Sequence, residues 1–346
     1  MVNIPLLINE FEDEKLEQLG DVTNLVLHEF RTPLTSIQGA LKLLQNEYYS
    51  EASPDTDKLL KIAISATNRL NRLAAALEEG PEVVGTMISR KEISNLKLEN
   101  SLIQGLERQE FLLHLQPILA IEEKRIIGFE ALARWQHPTL GIVPPGDFIP
   151  LAEKSGIINE LGLYLVRKAC QLLHDWQRQF LHQPPFFISI NISSIQLDDP
   201  RFSDEVEKIL SRHTIQPHTL VMEITESSLI ENNNVALRTI LKLKQMGINF
   251  YLDDFGTGYS SLLRLQELPF SAIKIDKSFV AQQNWTISKA ILQLADSLQL
   301  NVIVEGIETA EQLEVLSGLG CKEMQGYYFS KPIETDCAYH LLSSQI

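Results

Sequence analysis

After residue 98, short apolar runs repeatedly carry or close on an acid, an amide or a lysine. Glu130 lies in FEAL and Asn191 ends FFISIN. Glu223 and Glu226 lie in MEITE, and Asp253 and Asp254 close FYLDD. Lys274 and Asp276 lie in IKID, and Glu305 and Glu308 follow NVIV. One acid after a strand ordinarily caps a helix or sits in a turn. Recurrence at successive strand ends points instead to a shared site. Carboxylates and amides are hard oxygen donors, suited to Mg²⁺ or Mn²⁺ rather than to a thiolate zinc centre. Such a cluster repels itself unless cations enter it. The adjacent pair Asp253–Asp254 is its sharpest element, and Asp253 is placed to be shared between two metals. Lys274 is either a salt-bridge partner of these acids or a group that orients or activates a water.

These residues converge only if the elements bearing them do. The runs FLLHLQPI, IIGFEALAR, FFISINI, LVMEITE, NFYLDDF, AIKID, NVIVEG and MQGYYF are β-rich. Amphipathic stretches such as NNVALRTILKLKQMG and SKAILQLADSLQL separate most of them. Alternation of this kind over roughly 250 residues predicts an α/β fold, a TIM-like (β/α) barrel. In that architecture the strand C-termini meet at one face, where residues far apart in sequence gather.

The segment before the barrel reads differently. Residues 13–46 carry a helical stripe: Leu16, Leu19, Val22, Leu25, Val26, Ile37, Leu41 and Leu44. A polar break containing Pro54 follows, and helical periodicity returns over 57–79. The expected organisation is a helical hairpin over 1–80, a linker helix over 81–97 and the barrel over 98–346. A lone hairpin cannot cover its own apolar stripe, so pairing of two copies into a four-helix bundle is expected.

Bulk properties narrow the function. The sequence has 346 residues and a net charge of −15, with 44% hydrophobic and 22% charged residues. The length suggests two domains. The negative charge argues against binding a nucleic-acid polymer, which needs a basic face. No apolar run has the length of a membrane span, and the acidic N-terminal stretch lacks the features of a signal peptide. Cys170, Cys321 and Cys337 form no CxxC pair, which suits a reducing cytoplasm.

Residues 98–346 resemble the EAL domain, the family of cyclic di-GMP phosphodiesterases. The resemblance rests on EALARW (130–135), DFIPLAE (147–153), SINIS (189–193), EITES (223–227) and DDFGTGYSSL (253–262). It continues through IKIDKSFV (273–280), VEGIET (304–309) and QGYYFSKP (325–332). It implies Mg²⁺- or Mn²⁺-dependent hydrolysis of one phosphodiester bond of cyclic di-GMP, giving linear pGpG. By the same resemblance, Glu130, Asn191, Glu223 and Asp253 are metal ligands, and Asp254 serves a second metal. Lys274 holds the attacking water, and Glu305 is the general base or a metal-associated carboxylate. Glu308 and Gln325 line the site, with Glu308 a further metal ligand. Glu226 anchors the DDFGTGYSSL loop. Arg134 contacts the substrate phosphate, and Gln116 and Pro117 border the nucleotide. Ser271 stands where the family often has an acid, at a position outside the ligand set. Independently of the family, Gly256 and Gly258 suit a tight turn beside Asp254.

HEFRTPLTSI, within residues 15–80, resembles the dimerisation and phosphoacceptor domain of histidine kinases, HisKA. The resemblance implies His28 as phosphoacceptor, Glu29 as an assisting acid and Thr32 as a residue used in phosphate removal. Pro33 cannot donate to the carbonyl of Glu29 and bends the helix there. The sequence carries neither a P-loop nor the Asn- and Gly-rich boxes of an ATP-binding kinase domain. Phosphate on His28 is therefore expected to come from a separate histidine kinase or response regulator, the alternative being that the bundle only pairs two barrels. The leading reading is a phosphodiesterase controlled through this homodimeric module. The alternatives are a cyclic di-GMP receptor that does not hydrolyse it and a phosphorelay protein whose barrel senses it. If His28 is a switch, His28→Ala alters turnover when a phosphodonor kinase is supplied. Equal turnover of both proteins, with and without the donor, removes the switch.

Overall fold

A computed structural model of the chain describes residues 90–181, 184–226, 234–257 and 262–344, with isolated helical positions at 34, 37, 41, 63 and 67. The chain divides into two compact units, Met1–Leu98 and Glu99–Ile346. His28, Glu29, Thr32 and Pro33 lie outside the described residues, as do most of the expected hairpin and its pairing into a bundle.

Ten strands occur among the described residues of the second unit. They are β1 (Phe111–Ala120), β2 (Arg125–His137), β3 (Gly141–Val143), β4 (Phe187–Asn191), β5 (Leu220–Thr225), β6 (Asn249–Phe255), β7 (Ala272–Ile275), β8 (Asn301–Val304), β9 (Glu323–Met324) and β10 (Ile333–Glu334). Eight of them close a ring in the order β1, β2, β4, β5, β6, β7, β8, β9 and back to β1. β3 and β10 extend it at β2 and β1. The barrel expected from the alternating runs is therefore present. It differs from a uniformly parallel barrel at β1, which runs antiparallel to both β2 and β9. The reason is the connection. Parallel neighbours need a crossover of a dozen or more residues, whereas only the four-residue turn 121–124 joins β1 to β2.

The period-two alternation of strands stacks the interior in layers. Ile118, Val221, Tyr251, Ala272 and Ile303 are buried in one apolar cluster. Two residues further along the same strands, toward one end of the barrel, stand Gln116, Glu223, Asp253, Lys274 and Glu305. The charged layer thus rests on an apolar floor. Outside the ring, the helix Ile158–Gln179 buries Leu161, Leu165, Ala169 and Leu173 along one stripe. Its Trp176 meets Phe129 of β2 edge to face at 5.8 Å.

β2 is held from its far end as well. Trp135 is fully buried, stacks on Phe111 at 5.1 Å and donates from Nε1 to Glu110 Oε2 at 2.9 Å. Glu110 follows the helix Arg90–Glu107, so that helix's exit is tied to the strand carrying Glu130 and Arg134.

The ring closes through a close backbone approach. Gly326 packs so tightly on Ile307 that a Cβ would land on the Ile307 backbone. The two segments exchange Ile307 N to Gln325 O (3.1 Å) and Tyr328 N to Ile307 O (2.9 Å). Gly326→Ala must force them apart, at a cost of about 1–3 kcal/mol or more. At about 2–4 °C per kcal/mol, the melting temperature is expected to fall by several degrees. Thermal unfolding of the purified variant measures this, and an unchanged Tm would refute the close-packing account.

Candidate active site

Lys274 is the centre of the charged layer. It comes from β7, the four-residue strand Ala272–Ile275, and its side chain is fully buried. Its Nζ lies 2.6 Å from Glu305 Oε1, 2.7 Å from Glu223 Oε2, and 3.3 Å from both Glu130 Oε2 and Asp253 Oδ1. Three strands and the residue following a fourth, spread over 175 positions of sequence, therefore each deliver a carboxylate to one ammonium.

The surrounding amides fix the acids. Glu130 Oε1 accepts from Asn191 Nδ2 at 3.1 Å, and Glu130 Oε2 accepts from Gln325 Nε2 at 2.8 Å. Gln116 pairs with Glu130 across β1 and β2, and its Nε2 donates to Ser330 O at 3.1 Å. Pro117, the next residue, is buried opposite Phe129. Arg134 lies four residues beyond Glu130 on the same strand face, half-buried, with Nη1 donating to Ala133 O at 2.8 Å.

The Asp253–Asp254 corner has unusual backbone. Asp254 adopts φ +53°, a left-handed conformation uncommon outside glycine, and its N–H donates to Asp253 Oδ1 at 3.0 Å. The β6–β7 register shifts between Leu252 and Phe255, so the corner bulges from the sheet. Gly256 follows at φ +94°, and its N–H donates to Glu226 Oε2 at 2.8 Å. Glu226 is thereby joined to the loop that begins at Asp254. Gly258 lies outside the described residues.

Oxygens of Asp253, Asp254 and Glu305 all lie within 4.8 Å of one another. Glu223 Oε1 is buried without a hydrogen-bond partner. A convergent set of hard oxygens plus an orphaned buried carboxylate oxygen fits a divalent cation such as Mg²⁺ or Mn²⁺. Glu308 stands apart from this group. It is exposed, and its described bond is from its backbone N–H to Gln312 Oε1 at 2.8 Å, part of a helix cap. Asp276 is also a cap, accepting from Ser278 N at 2.9 Å. Ser271 lies at the opposite end of β7, where Lys244 Nζ donates to its hydroxyl at 2.9 Å.

Carboxylates outnumber ammonium groups here, and the proton affinities reflect it. Burial raises the Glu130 carboxyl, but Lys274 and the bonds from Gln325 and Asn191 outweigh it and hold Glu130 below the usual range. Burial lowers Lys274, yet Asp253, Glu130, Glu223 and Glu305 together keep it well above the ordinary lysine value. Glu223 is driven well above the carboxylate range by burial, with Glu130 and Asp253 adding to the shift. Burial pushes Glu305 up to about 8 against the pull of Lys274. Asp254 is pushed up to about 6 by burial and then by Asp253 and Asp276. The excess negative charge is thus shared between one ammonium and bound protons, which a divalent cation would displace.

Two neighbours of the site were not singled out in the sequence. Ser193 Oγ donates to Glu153 Oε1 at 2.6 Å, tying the loop after β4 to the helix Pro145–Ser155. Both residues sit in quoted motifs, but nothing in their spacing pairs them. Tyr327 stands exposed two residues after Gln325, signalled only by the aromatic pair in QGYYF.

Comparison with known proteins agrees with this geometry. The family model described as EAL domain matches residues 99–332, and that of the His Kinase A (phospho-acceptor) domain matches residues 18–79. The bifunctional diguanylate cyclase/cyclic di-GMP phosphodiesterase MucR of Pseudomonas aeruginosa is 37% identical over 246 residues, covering 70% of this chain and 36% of MucR. The cyclic di-GMP phosphodiesterase NbdA of the same organism is 33% identical over 293 residues, covering 82% of this chain and 36% of NbdA. The chain spans well under half the length of these curated relatives. Among solved structures, the PaMucR phosphodiesterase in complex with c-di-GMP superposes with a TM-score of 0.66 at 37% identity, covering 70% of this chain and 99% of that one.

Removing the central ammonium leaves buried like charges uncompensated. Lys274→Met is expected to lower the unfolding free energy by about 3–5 kcal/mol. Adding Glu223→Gln should recover part of that loss. Urea unfolding of the three proteins reads both effects, and wild-type stability in the single variant would contradict the charge-centre account.

Proposed function

The chain belongs to the EAL domain family, and from that premise we propose that it hydrolyses cyclic di-GMP to linear pGpG with Mg²⁺ or Mn²⁺. The observation that carries this reading is the convergence of Asp253, Asp254 and Glu305 oxygens within 4.8 Å beside buried Lys274. Bound divalent cations supply charge neutralisation at the phosphoryl oxygens and at the leaving oxygen.

The chain's own groups do the rest. Glu130, Asn191, Glu223 and Asp253 would hold one cation, and Asp254 would serve a second. Asn191 and Gln325 fix the Glu130 carboxylate by donating to its two oxygens. Lys274 would orient the attacking water once bound cations take up part of the carboxylate oxygens its ammonium faces. Glu305, whose proton affinity burial raises, takes that water's proton when its carboxyl is ionised. Arg134 receives a substrate phosphate, and Gln116 and Pro117 border the nucleotide. Glu226 holds the loop after Asp254 through Gly256.

The segment matched by the phosphoacceptor model pairs two chains into a homodimer and carries the input, through His28 or through the packing of the bundle alone. Among the described residues no helix is long and apolar enough to cross a membrane. We place the activity in the cytoplasm, where a nucleotide messenger is made and consumed.

The test is a product assay on the purified full chain with Mg²⁺ or Mn²⁺ and cyclic di-GMP. The wild type should release pGpG, and Glu130→Gln and Asp253→Asn should each lose about 100- to 1000-fold or more in kcat. Tight binding without any pGpG would convert the reading to a receptor. Full activity in either variant would overturn the ligand assignment.

A further inference from the structure

We propose that Glu153 is a positioning residue: through Ser193 it fixes the turn after β4, and thereby the place of the Asn191 amide at the metal site. The inference rests on the reading of Asn191 as a metal ligand and extends it to an acid outside the charged layer.

Asn191 is the last residue of β4 and is exposed. On one side its ladder continues, for it pairs with Glu223 of β5. On the other, the pairing of β4 with β2 stops one residue earlier, at Ile190 and Ala131. The strand does not hold Asn191 from both sides, so the turn that follows must supply the rest. Ile192 N donates to Glu223 O at 2.9 Å. Ser193 then caps the short helix Ser194–Leu197, and its N–H donates to Gln196 Oε1 at 3.1 Å. Gln196 is buried against Gly162 so closely that a Cβ there would strike its amide.

These bonds leave the Ser193 hydroxyl proton over, and it goes to Glu153 Oε1 at 2.6 Å. That length belongs to charge-assisted O–H···O⁻ bonds, which are roughly twice as strong as neutral ones. Glu153 sits in the last turn of the helix Pro145–Ser155, where an acid opposes the helix dipole. Its placement thus serves Ser193 rather than its own helix. That helix is a firm base, because fully buried Phe148 packs on Phe111 and Trp135 with ring centroids 5.5 and 5.9 Å away. Glu153 is neither one of the four carboxylates around Lys274 nor part of the Asp253, Asp254 and Glu305 group. It acts on the site through Ser193, two residues from Asn191. Asn191 Nδ2 donates in turn to Glu130 Oε1 at 3.1 Å, so a shift of the turn would disturb two groups of the metal site together.

The experiment compares the full-length wild type with Glu153→Ala, Glu153→Gln, Ser193→Ala, the double variant Glu153→Ala/Ser193→Ala, and Asn191→Ala. It reads Kd for Mn²⁺ by calorimetry on metal-stripped protein without nucleotide, turnover to pGpG against Mn²⁺ concentration, and thermal unfolding to show that each variant folds. Glu153→Ala should raise Kd for Mn²⁺ about 10- to 100-fold, the range for removing a partner that orients a ligand. The Mn²⁺ concentration giving half-maximal turnover should rise with it. Ser193→Ala should match that loss, and the double variant should be no worse than either single one, because all three remove the same bond. Ser193→Ala deletes a single oxygen and carries the prediction should Glu153→Ala not fold. Glu153→Gln should recover most of the affinity, since its amide oxygen accepts the same hydroxyl proton. Wild-type Mn²⁺ affinity in folded Glu153→Ala or Ser193→Ala, or losses that add in the double variant, overturns the inference while leaving the phosphodiesterase reading intact. Unchanged affinity in Asn191→Ala overturns it together with the ligand role of Asn191. A wild type that binds Mn²⁺ but releases no pGpG, with affinity lost in the variants, sustains the positioning role and sinks the phosphodiesterase. A wild type that binds no Mn²⁺ removes both.

Discussion

A single buried ammonium organises this barrel. Lys274 has no exposed surface, and taking its charge out of water would be prohibitive without compensation. The compensation arrives from Glu130, Glu223, Asp253 and Glu305, each on a different strand or strand end. Every one of those strands must therefore be in register. A slip of one residue would turn its acid out of the barrel and bring a neighbouring side chain in. The apolar layer of Val221, Tyr251, Ala272 and Ile303 beneath the charges locks the same register from below. Packing and electrostatics thus select the same alignment, and neither would hold the cluster alone.

One cation is nevertheless too few. Burial makes Glu223 and Glu305 favour protons so strongly, and the neighbouring acids add to it. Glu130 is the exception because Lys274, and then two donating amides, outweigh its burial. A site so arranged keeps one carboxylate committed to negative charge and leaves others ready to exchange a proton for a metal.

Much of this was legible in the sequence because barrel strands announce themselves by short apolar runs, and the runs from FLLHLQPI to NVIVEG overlie β1 to β8 of the ring. What periodicity could not convey was direction. The hairpin that makes β1 antiparallel depends on a four-residue turn, and nothing in the composition of either strand encodes it. Side-chain destiny was equally mixed. Asp276 and Glu305 both follow apolar strands, yet Asp276 caps a helix while Glu305 binds Lys274. Pleat parity does not separate them, since each stands one residue past its strand on the inward side. At Asp276 the backbone turns at once into the helix Lys277–Ala281, which its carboxylate caps, whereas an extended segment follows Glu305. Tyr327 escaped notice for a related reason, since its exposure arises only once the loop is folded.

The Asp254 corner shows how the cluster is tied to a left-handed turn of the backbone. Left-handed φ at a non-glycine residue costs free energy and persists only where the surroundings enforce it. Here the enforcement is reciprocal. Asp253 Oδ1 accepts the Asp254 N–H while also facing Lys274, so the carboxylate that balances the ammonium also fixes the turn. Two residues later Glu226 takes the Gly256 N–H, joining the end of β5 to the loop after β6. Glu226 lies three residues beyond Glu223 on the same segment. Any movement of this loop must then be felt at both Asp253 and β5, and so at two of the four acids around Lys274. The anchors of Asp254 and Gly256 and the charge centre are thus parts of the same hydrogen-bonded strand segments.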